Sequence, residues 1–167
     1  MPVTTNIFPV TLAVADALIA GDAVFTDRYG MAVAAGYLDA PEVLPPMRAA
    51  LAAGTPPEWY GHLIVHRETL TVVGFGGYKG PPDGGEVEIG YSIAPDHRGH
   101  GHATAAVTQL VARARAQGVG VVSARTLPAE STSTRILSRA GFVMTEVVVD
   151  ADLGDVWHFE LRLRGGP

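Results

Sequence analysis

Residues 86–107, EVEIGYSIAPDHRGHGHATAAV, decide how this chain folds. The odd positions from 87 to 93 are apolar and alternate with polar or small residues, which predicts a strand with two different faces. Pro95 removes a backbone donor and keeps Ala94 extended, so the strand must end there or separate from its neighbour. The alanine-rich run over 103–117 has helical spacing. The stretch therefore predicts a strand, a glycine-rich bend and a helix.

The bend over residues 98–103 has the features of an anion site. It lies between the end of a strand and the start of a helix, where unpaired N–H groups and the helix dipole favour negative charge. Gly99 and Gly101 have no Cβ, so the main chain can approach a ligand closely, and pyrophosphate is the natural guest. A dinucleotide fingerprint is excluded because position 104 is threonine and the region before the bend is antiparallel. A nucleoside-triphosphate loop is excluded because no Gly-Lys-Ser/Thr run is present.

The rest of the chain supplies helices and strands in an order that indicates a mixed sheet. The first third is predicted to be mostly helical, with a helix that Gly21 ends, a second one capped by Asp22 and a third over 43–54. The predicted later elements are a hairpin over 62–80, strands at 119–126, 142–150 and 156–164, and a helix over 131–141. This order predicts an α/β fold with a mostly antiparallel mixed sheet and helices on both faces.

Composition limits the classes of protein. The chain has 167 residues, of which 47% are hydrophobic, so one well-buried domain over 1–167 is expected. A net charge of -5 disfavours nucleic acid as a partner. There is no cysteine, which excludes disulfides and thiolate metal sites. No stretch is long and apolar enough to span a bilayer and the N-terminus lacks a basic signal-peptide start, so a cytoplasmic protein without a membrane partner is expected.

The segment EIGYSIAPDHRGHGHATAAV (88–107), followed by TLPAESTSTRILSRAGF (126–142), resembles the acyl-CoA-binding core of the GNAT superfamily of N-acetyltransferases. Within that superfamily it is most similar to the branch that acetylates the N-termini of ribosomal proteins. The resemblance covers residues 60–163, and two separated motifs in the correct order are more specific than either alone. It implies an acyl-CoA N-acyltransferase fold in which 1–60 is a helical acceptor-side region and 61–163 is the sheet and acetyl-CoA-binding core.

The resemblance also implies where acetyl-CoA binds. The co-substrate would lie where two neighbouring strands separate, its pantetheine arm paired with the main chain around Ile93 and Ala94 and its pyrophosphate held by the bend. The residues implied to bind it are Ile93, Ala94, Arg98, Gly99, His100, Gly101, His102, Ala103 and Thr104. The acceptor would be a primary amine, either a protein N-terminus or a small molecule such as a metabolite or an antibiotic-like amine.

Two residues are candidates for the chemistry. Glu88 is the first choice for the base, because it lies on the strand face opposite Val87 and Ile89 and should border the cleft; a solvent-facing carboxylate and a water-relayed proton are the alternatives. Ser133 matches a serine of the family motif and could hydrogen-bond the cofactor or its sulfur. Equally, Ser131 or Ser133 could simply cap the helix.

Two positions depart from the family pattern. Leu137 stands where many members have a tyrosine acid, and Glu130 stands where an asparagine usually faces the cofactor, so neither role is carried over. A thiolate leaving group, with a pKa of about 8.5, can depart without a dedicated acid. These departures keep open a non-catalytic acyl-CoA-binding or regulatory protein.

The remaining candidates concern metals, the acceptor pocket and assembly. The histidines at 97, 100 and 102 lie in a flexible loop without other ligands, and the histidines at 62 and 66 lie in a strand, so no metal is expected. Glu58, Trp59 and Tyr60 could line the acceptor pocket. The sequence leaves a homodimer open.

Overall fold

A computed structural model describes residues 4–163 of the chain. Its centre is a sheet in the order β1-β3-β4-β5-β6-β8-β7, with β2 paired in parallel with β4. The strands are β1 (Thr5–Pro9), β2 (Ala32–Val33), β3 (Gly61–His66), β4 (Thr71–Tyr78), β5 (Glu86–Ile93), β6 (Val121–Thr126), β7 (Val143–Asp150) and β8 (Gly154–Arg162). The helices are α1 (Leu12–Ala20), α2 (Asp22–Tyr29), α3 (Leu44–Ala52), α4 (His102–Ala116) and α5 (Thr132–Arg139). The predicted mixed α/β fold is confirmed.

Helices cover both faces of the sheet. On one face, α4 and α5 bury residues such as Val107, Leu110 and Leu137 against the odd-numbered side chains of β5. On the other face, α1, α2 and α3 form a second cluster that includes Phe25 and Met47. Burial of apolar surface on the two sides, at roughly 25 cal/mol per Å², holds the helices onto the sheet.

The expectation for the first third was incomplete, because it contains two strands as well as three helices. β1 pairs antiparallel with β3, from Thr5 opposite His66 to Pro9 opposite His62. A five-residue strand that ends in proline has a weak local signal, and its partner lies more than 50 residues away. Gly21 ends α1 as expected, but it is also the N-cap residue of α2, and Asp22 is the first residue of that helix.

The β5–β6 pairing positions the site. The two strands pair in parallel from Glu86 opposite Val121 to Ile89 opposite Ala124, and β5 then continues to Ile93 along β4 alone. On its far side β6 stays paired with β8 as far as Thr126. The strands therefore separate after Ile89, as the resemblance implied. We call the space between them the β5–β6 gap.

Candidate functional site

The backbone of β5 beyond Ile89 presents unpaired peptide groups to the β5–β6 gap. The Glu88 carbonyl accepts the Lys79 N–H and the Ala94 N–H donates to the Val73 carbonyl, so the even-numbered residues pair with β4. Peptide groups alternate between the two edges of a strand, and those of Tyr91 and Ile93 therefore point into the gap. The Arg98 side chain donates from Nε to the Ile93 carbonyl at 3.0 Å. The backbone groups best placed to meet an extended ligand are those of Tyr91 and the N–H of Ile93.

Two of the predicted cofactor-binding residues have roles within the fold. Ala94 donates its N–H to β4 and its carbonyl accepts the His97 N–H, so both of its peptide groups are engaged. The His102 side chain is buried, with Nδ1 2.9 Å from Oγ1 of Thr5. Only the backbone N–H of His102 can face a ligand at the bend. Its side chain instead fixes the start of α4 against β1.

The glycine-rich bend is open on its outer side. Gly99 has a φ of 76° and Gly101 a φ of 87°, and a Cβ at either position would meet no protein atom within 4 Å. Gly101 is the N-cap residue of α4, and no side chain caps this helix within the described residues. The first-turn N–H groups of a 15-residue helix thus face an accessible space, with Ala103 and Thr104 in that turn. This geometry suits an anion held by main-chain donors.

Three further imidazoles surround His102. The ring centroids of His66, His97 and His100 lie 5.3, 6.5 and 6.5 Å from that of His102. Burial, together with the neighbouring histidines, lowers the pKa of His102 from 6.5 to about 4. His102 is therefore neutral near pH 7. Within residues 4–163, no group of three or more His, Cys, Asp or Glu side chains is placed to hold a metal ion.

A cavity of about 370 Å³ occupies the β5–β6 gap and extends to the first turns of α5. Gly90 and Tyr91 line it from β5, Arg125 lines it from β6, and Ser133 and Leu137 line it from α5. We call it the gap cavity. From β5 it is lined by Ile89, Gly90 and Tyr91, where the strand leaves its pairing with β6.

A larger cavity of about 630 Å³ lies on the side of the sheet covered by α3. Its lining is mostly apolar and comes from the segment before α3, from α3 itself and from β4 and β5. Tyr60 lines it, whereas Trp59 packs against Tyr78 with ring centroids 5.2 Å apart. Asp39 and Glu42 add two exposed carboxylates to its wall. We call it the α3 cavity.

The two cavities share two residues, Gly90 and Tyr91. Gly90 does not have a positive φ, and a Cβ there would meet only the Lys79 side chain, at an ordinary 3.7 Å. Neither backbone conformation nor packing within the chain requires glycine at this position. A glycine inside a strand often marks a place where a ligand approaches closely. We call these two shared residues the junction of the two cavities.

Glu88 lies next to this junction and forms ion pairs with cations from both sides. Its Oε1 is 2.5 Å from Nζ of Lys79, which lines the α3 cavity, and 3.8 Å from Nε of Arg125, which lines the gap cavity. The carboxylate shares the strand face of Gly90 but lines neither cavity. Its assignment as the base stays a prediction.

The start of α5 shows which of Ser131 and Ser133 caps the helix, a question that the sequence left open. Ser131 is the N-cap residue, and its hydroxyl and that of Thr134 form a reciprocal capping box. Ser133 lies in the first turn and lines the gap cavity, so it is Ser131 that caps the helix. Glu130 is exposed to solvent.

Sequence reasoning missed Tyr91, Lys79 and Arg125 as parts of the site. Tyr91 was counted among the apolar residues of the strand, yet its hydroxyl lies 3.4 Å from the Ser133 carbonyl across the gap cavity. A tyrosine beside a strand glycine was the available signal, since a buried phenol needs a polar partner. Lys79 and Arg125 carried no signal, because their contacts depend on long-range pairing.

Comparisons with known proteins agree on one family. A family model described as an acetyltransferase (GNAT) domain matches residues 9–143. No curated protein matches the chain by sequence. Within the described residues, no helix has the length and hydropathy needed to cross a bilayer.

Solved structures of similar fold cover nearly the whole chain. Mycobacterium smegmatis RimJ, in complex with CoA-disulfide, is 18% identical with a TM-score of 0.64, over 95% of this chain and 81% of that one. A ribosomal-protein-alanine N-acetyltransferase from Brucella melitensis is 20% identical with a TM-score of 0.63, over 95% and 99%. The microcin C7 self-immunity acetyltransferase MccE, in complex with acetyl-CoA and AMP, is 14% identical with a TM-score of 0.67, over 95% and 92%.

Proposed function

The chain belongs to the acetyltransferase (GNAT) domain family, and from this membership we propose that it transfers an acetyl group from acetyl-CoA to a primary amine by direct attack within a ternary complex. The family match confirms the predicted enzyme class, an acetyltransferase. The proposal adds that the acceptor is a primary amine and that both substrates are bound at the same time.

One observation carries the proposal, namely that Gly90 and Tyr91 line both cavities. A thioester at the end of an extended chain in the gap cavity and an amine in the α3 cavity would come together there. Direct attack needs the reacting atoms about 3 to 3.5 Å apart, which a shared junction allows without a covalent enzyme intermediate.

The residues of the chain fit acetyl-CoA at both ends. The main-chain donors of the open bend from Gly99 to Ala103 would hold the pyrophosphate. The unpaired peptide groups of Tyr91 and the N–H of Ile93 would pair with the amides of the pantetheine arm, as an added strand does. The same edge offers N–H donors to the thioester oxygen as negative charge develops on it.

The α3 cavity would hold the acceptor. Its apolar lining suits a body of low polarity, while Asp39 and Glu42 attract the ammonium form of an amine. An ammonium ion must lose a proton before it can attack, and Glu88, which lies beside the junction without lining either cavity, would receive that proton through a water molecule. Both a peptide N-terminus and a small-molecule amine satisfy this chemistry.

Release of CoA thiol measured against a panel of amines tests the proposal. The panel pairs a short peptide with a free N-terminus with the same peptide N-acetylated, and adds small primary amines. We expect thiol release with at least one free amine and none with the blocked peptide. Binding of acetyl-CoA without turnover on any amine would instead identify a non-catalytic acyl-CoA-binding protein.

A substitution at the junction links the activity to this geometry. Gly90→Ala adds a methyl group that the fold accommodates but that projects where the two molecules would meet. We expect it to fold normally and to lose most of the transfer rate. Gly120→Ala is the matched control, because a Cβ at Gly120 also meets an ordinary contact, at 3.6 Å, outside both cavities.

A further inference from the structure

Tyr91 is placed to act in the chemistry and not only in packing. It lies in β5 at the junction of the two cavities, and its side chain crosses the gap cavity to the first turn of α5. The phenolic oxygen is 3.4 Å from the Ser133 carbonyl. The hydroxyl is thus held in the cavity that would receive the thioester end of acetyl-CoA.

The other tyrosines near the site are placed differently. The Tyr78 hydroxyl donates to the Leu110 carbonyl at 2.6 Å, within the core beneath α4. Tyr60 lines only the α3 cavity. Among the described residues, Tyr91 is the phenol that lines both cavities, so its proton is available where the carbon–sulfur bond would break.

We propose that Tyr91 is the general acid of the transfer and protonates the departing CoA thiolate. This inference rests on the proposed function. As the amine nitrogen forms its bond to the acetyl carbon, the carbon–sulfur bond breaks and its electron pair stays on sulfur. The Tyr91 hydroxyl gives its proton to that sulfur, and the proton lost by the amine nitrogen reaches the phenolate through solvent. The products are the acetylated amine, CoA thiol and a restored phenol.

The surroundings of Tyr91 keep its phenol protonated, which is the form that a general acid needs. Burial raises the pKa of Tyr91. The phenol is therefore protonated at neutral pH before each transfer.

Tyr91→Phe tests the proposal, because it removes the hydroxyl and keeps the ring. With the best amine of the panel, we expect kcat to fall by about 10- to 100-fold. The KM for acetyl-CoA should change little, because the backbone groups that would bind pantetheine remain. Tyr29→Phe is the matched control: Tyr29 packs on Phe25 in α2, outside both cavities, and its variant should keep the full rate.

Two double variants separate proton transfer from packing. Leu137 lines the same cavity one turn after Ser133, so a tyrosine there brings a hydroxyl to the same wall. Tyr91→Phe/Leu137→Tyr should be several-fold faster than Tyr91→Phe/Leu137→Phe, which carries an equal ring without the hydroxyl.

Two results would overturn the assignment. One is a Tyr91→Phe kcat equal to that of the wild type, and the other is equal rates for the two double variants. Either result, obtained with an active wild type, removes the acid role and leaves the transfer reaction standing. A wild type that releases no thiol with any amine would overturn the proposed function itself.

Discussion

The Gly101→Ala variant tests whether the glycine-rich bend binds the pyrophosphate of CoA. Gly101 is the N-cap residue of α4 with a φ of 87°, and a Cβ there meets no protein atom within 4 Å. The added methyl therefore costs backbone strain, roughly 1 to 2 kcal/mol in the left-handed region, but causes no clash within the protein. We expect the variant to fold cooperatively and to lose affinity for CoA.

The loss of affinity can be sized from the donors at the bend. A hydrogen bond from a main-chain N–H to a charged phosphate contributes about 1.5 to 3 kcal/mol. A methyl that keeps the diphosphate away from two such donors would cost at least about 3 kcal/mol, which is roughly a 100-fold increase in Kd. The strain itself is present in the free and the bound protein, so it affects stability more than affinity.

Gly30→Ala controls for the strain. Gly30 follows α2 with a φ of 70°, and its Cβ position is equally open, but it lines neither cavity and lies outside the bend. Both variants should lose similar stability in urea, whereas only Gly101→Ala should weaken CoA binding in calorimetry. Turnover of acetyl-pantetheine, which lacks the diphosphate, should be nearly equal in the two variants. The same CoA affinity for both would refute the pyrophosphate assignment.

Two further predictions concern charge and pH. Glu88→Gln should lower kcat with little change in the Kd for acetyl-CoA, since Glu88 lines neither cavity; a full rate measured at saturating substrates would move the base elsewhere. Burial lowers the pKa of His62 from 6.5 to about 4, so its contribution to stability is complete above pH 6.5 and is lost as the pH falls toward 4. The slope reaches about 1.4 kcal/mol per pH unit for one such group. Urea midpoints between pH 7 and 4.5 should therefore fall less steeply for His62→Leu than for the wild type, and parallel curves would contradict this reading.

The His62 imidazole is buried, and a second proton on its ring would have no acceptor within the described residues. Nδ1 lies 2.9 Å from the Tyr60 carbonyl, and Nε2 is buried without a hydrogen-bond partner within the described residues. Protonation would bury a cation near the Arg113 guanidinium, and the hydrogen bond to the Tyr60 carbonyl offsets only part of that cost. The neutral form with the proton on Nδ1 is the one that the fold accepts.

Local sequence predicted the elements whose form depends on neighbouring residues. Pro95, the two glycines of the bend and the alanine-rich run determine the end of β5 and the start of α4 within a few positions, and both are where the sequence placed them. β1 was missed, because a short strand with a weak pattern is stabilised by a distant partner. The separation of β5 from β6 was expected only from the family resemblance.

The site could be predicted only where one continuous segment forms it. The bend is such a segment, and its residues were assigned correctly to a strand–helix junction. The α3 cavity combines segments from residue 38 to residue 92, so its carboxylates at Asp39 and Glu42 had no recognisable spacing. The ion pairs of Glu88 have the same origin, since Arg125 reaches it only through the β5–β6 pairing.

The glycines show how a ligand-related residue differs from a structural one. At Gly76 a Cβ would lie 2.9 Å from the Gly90 carbonyl, so close pairing of β4 with β5 requires that glycine. Gly99 and Gly101 have positive φ values, which explain them as backbone requirements before any ligand is considered. Gly90 has neither constraint, yet it lines both cavities. Its lack of a side chain is thus explained neither by backbone conformation nor by packing, and two reacting molecules at this place would require it.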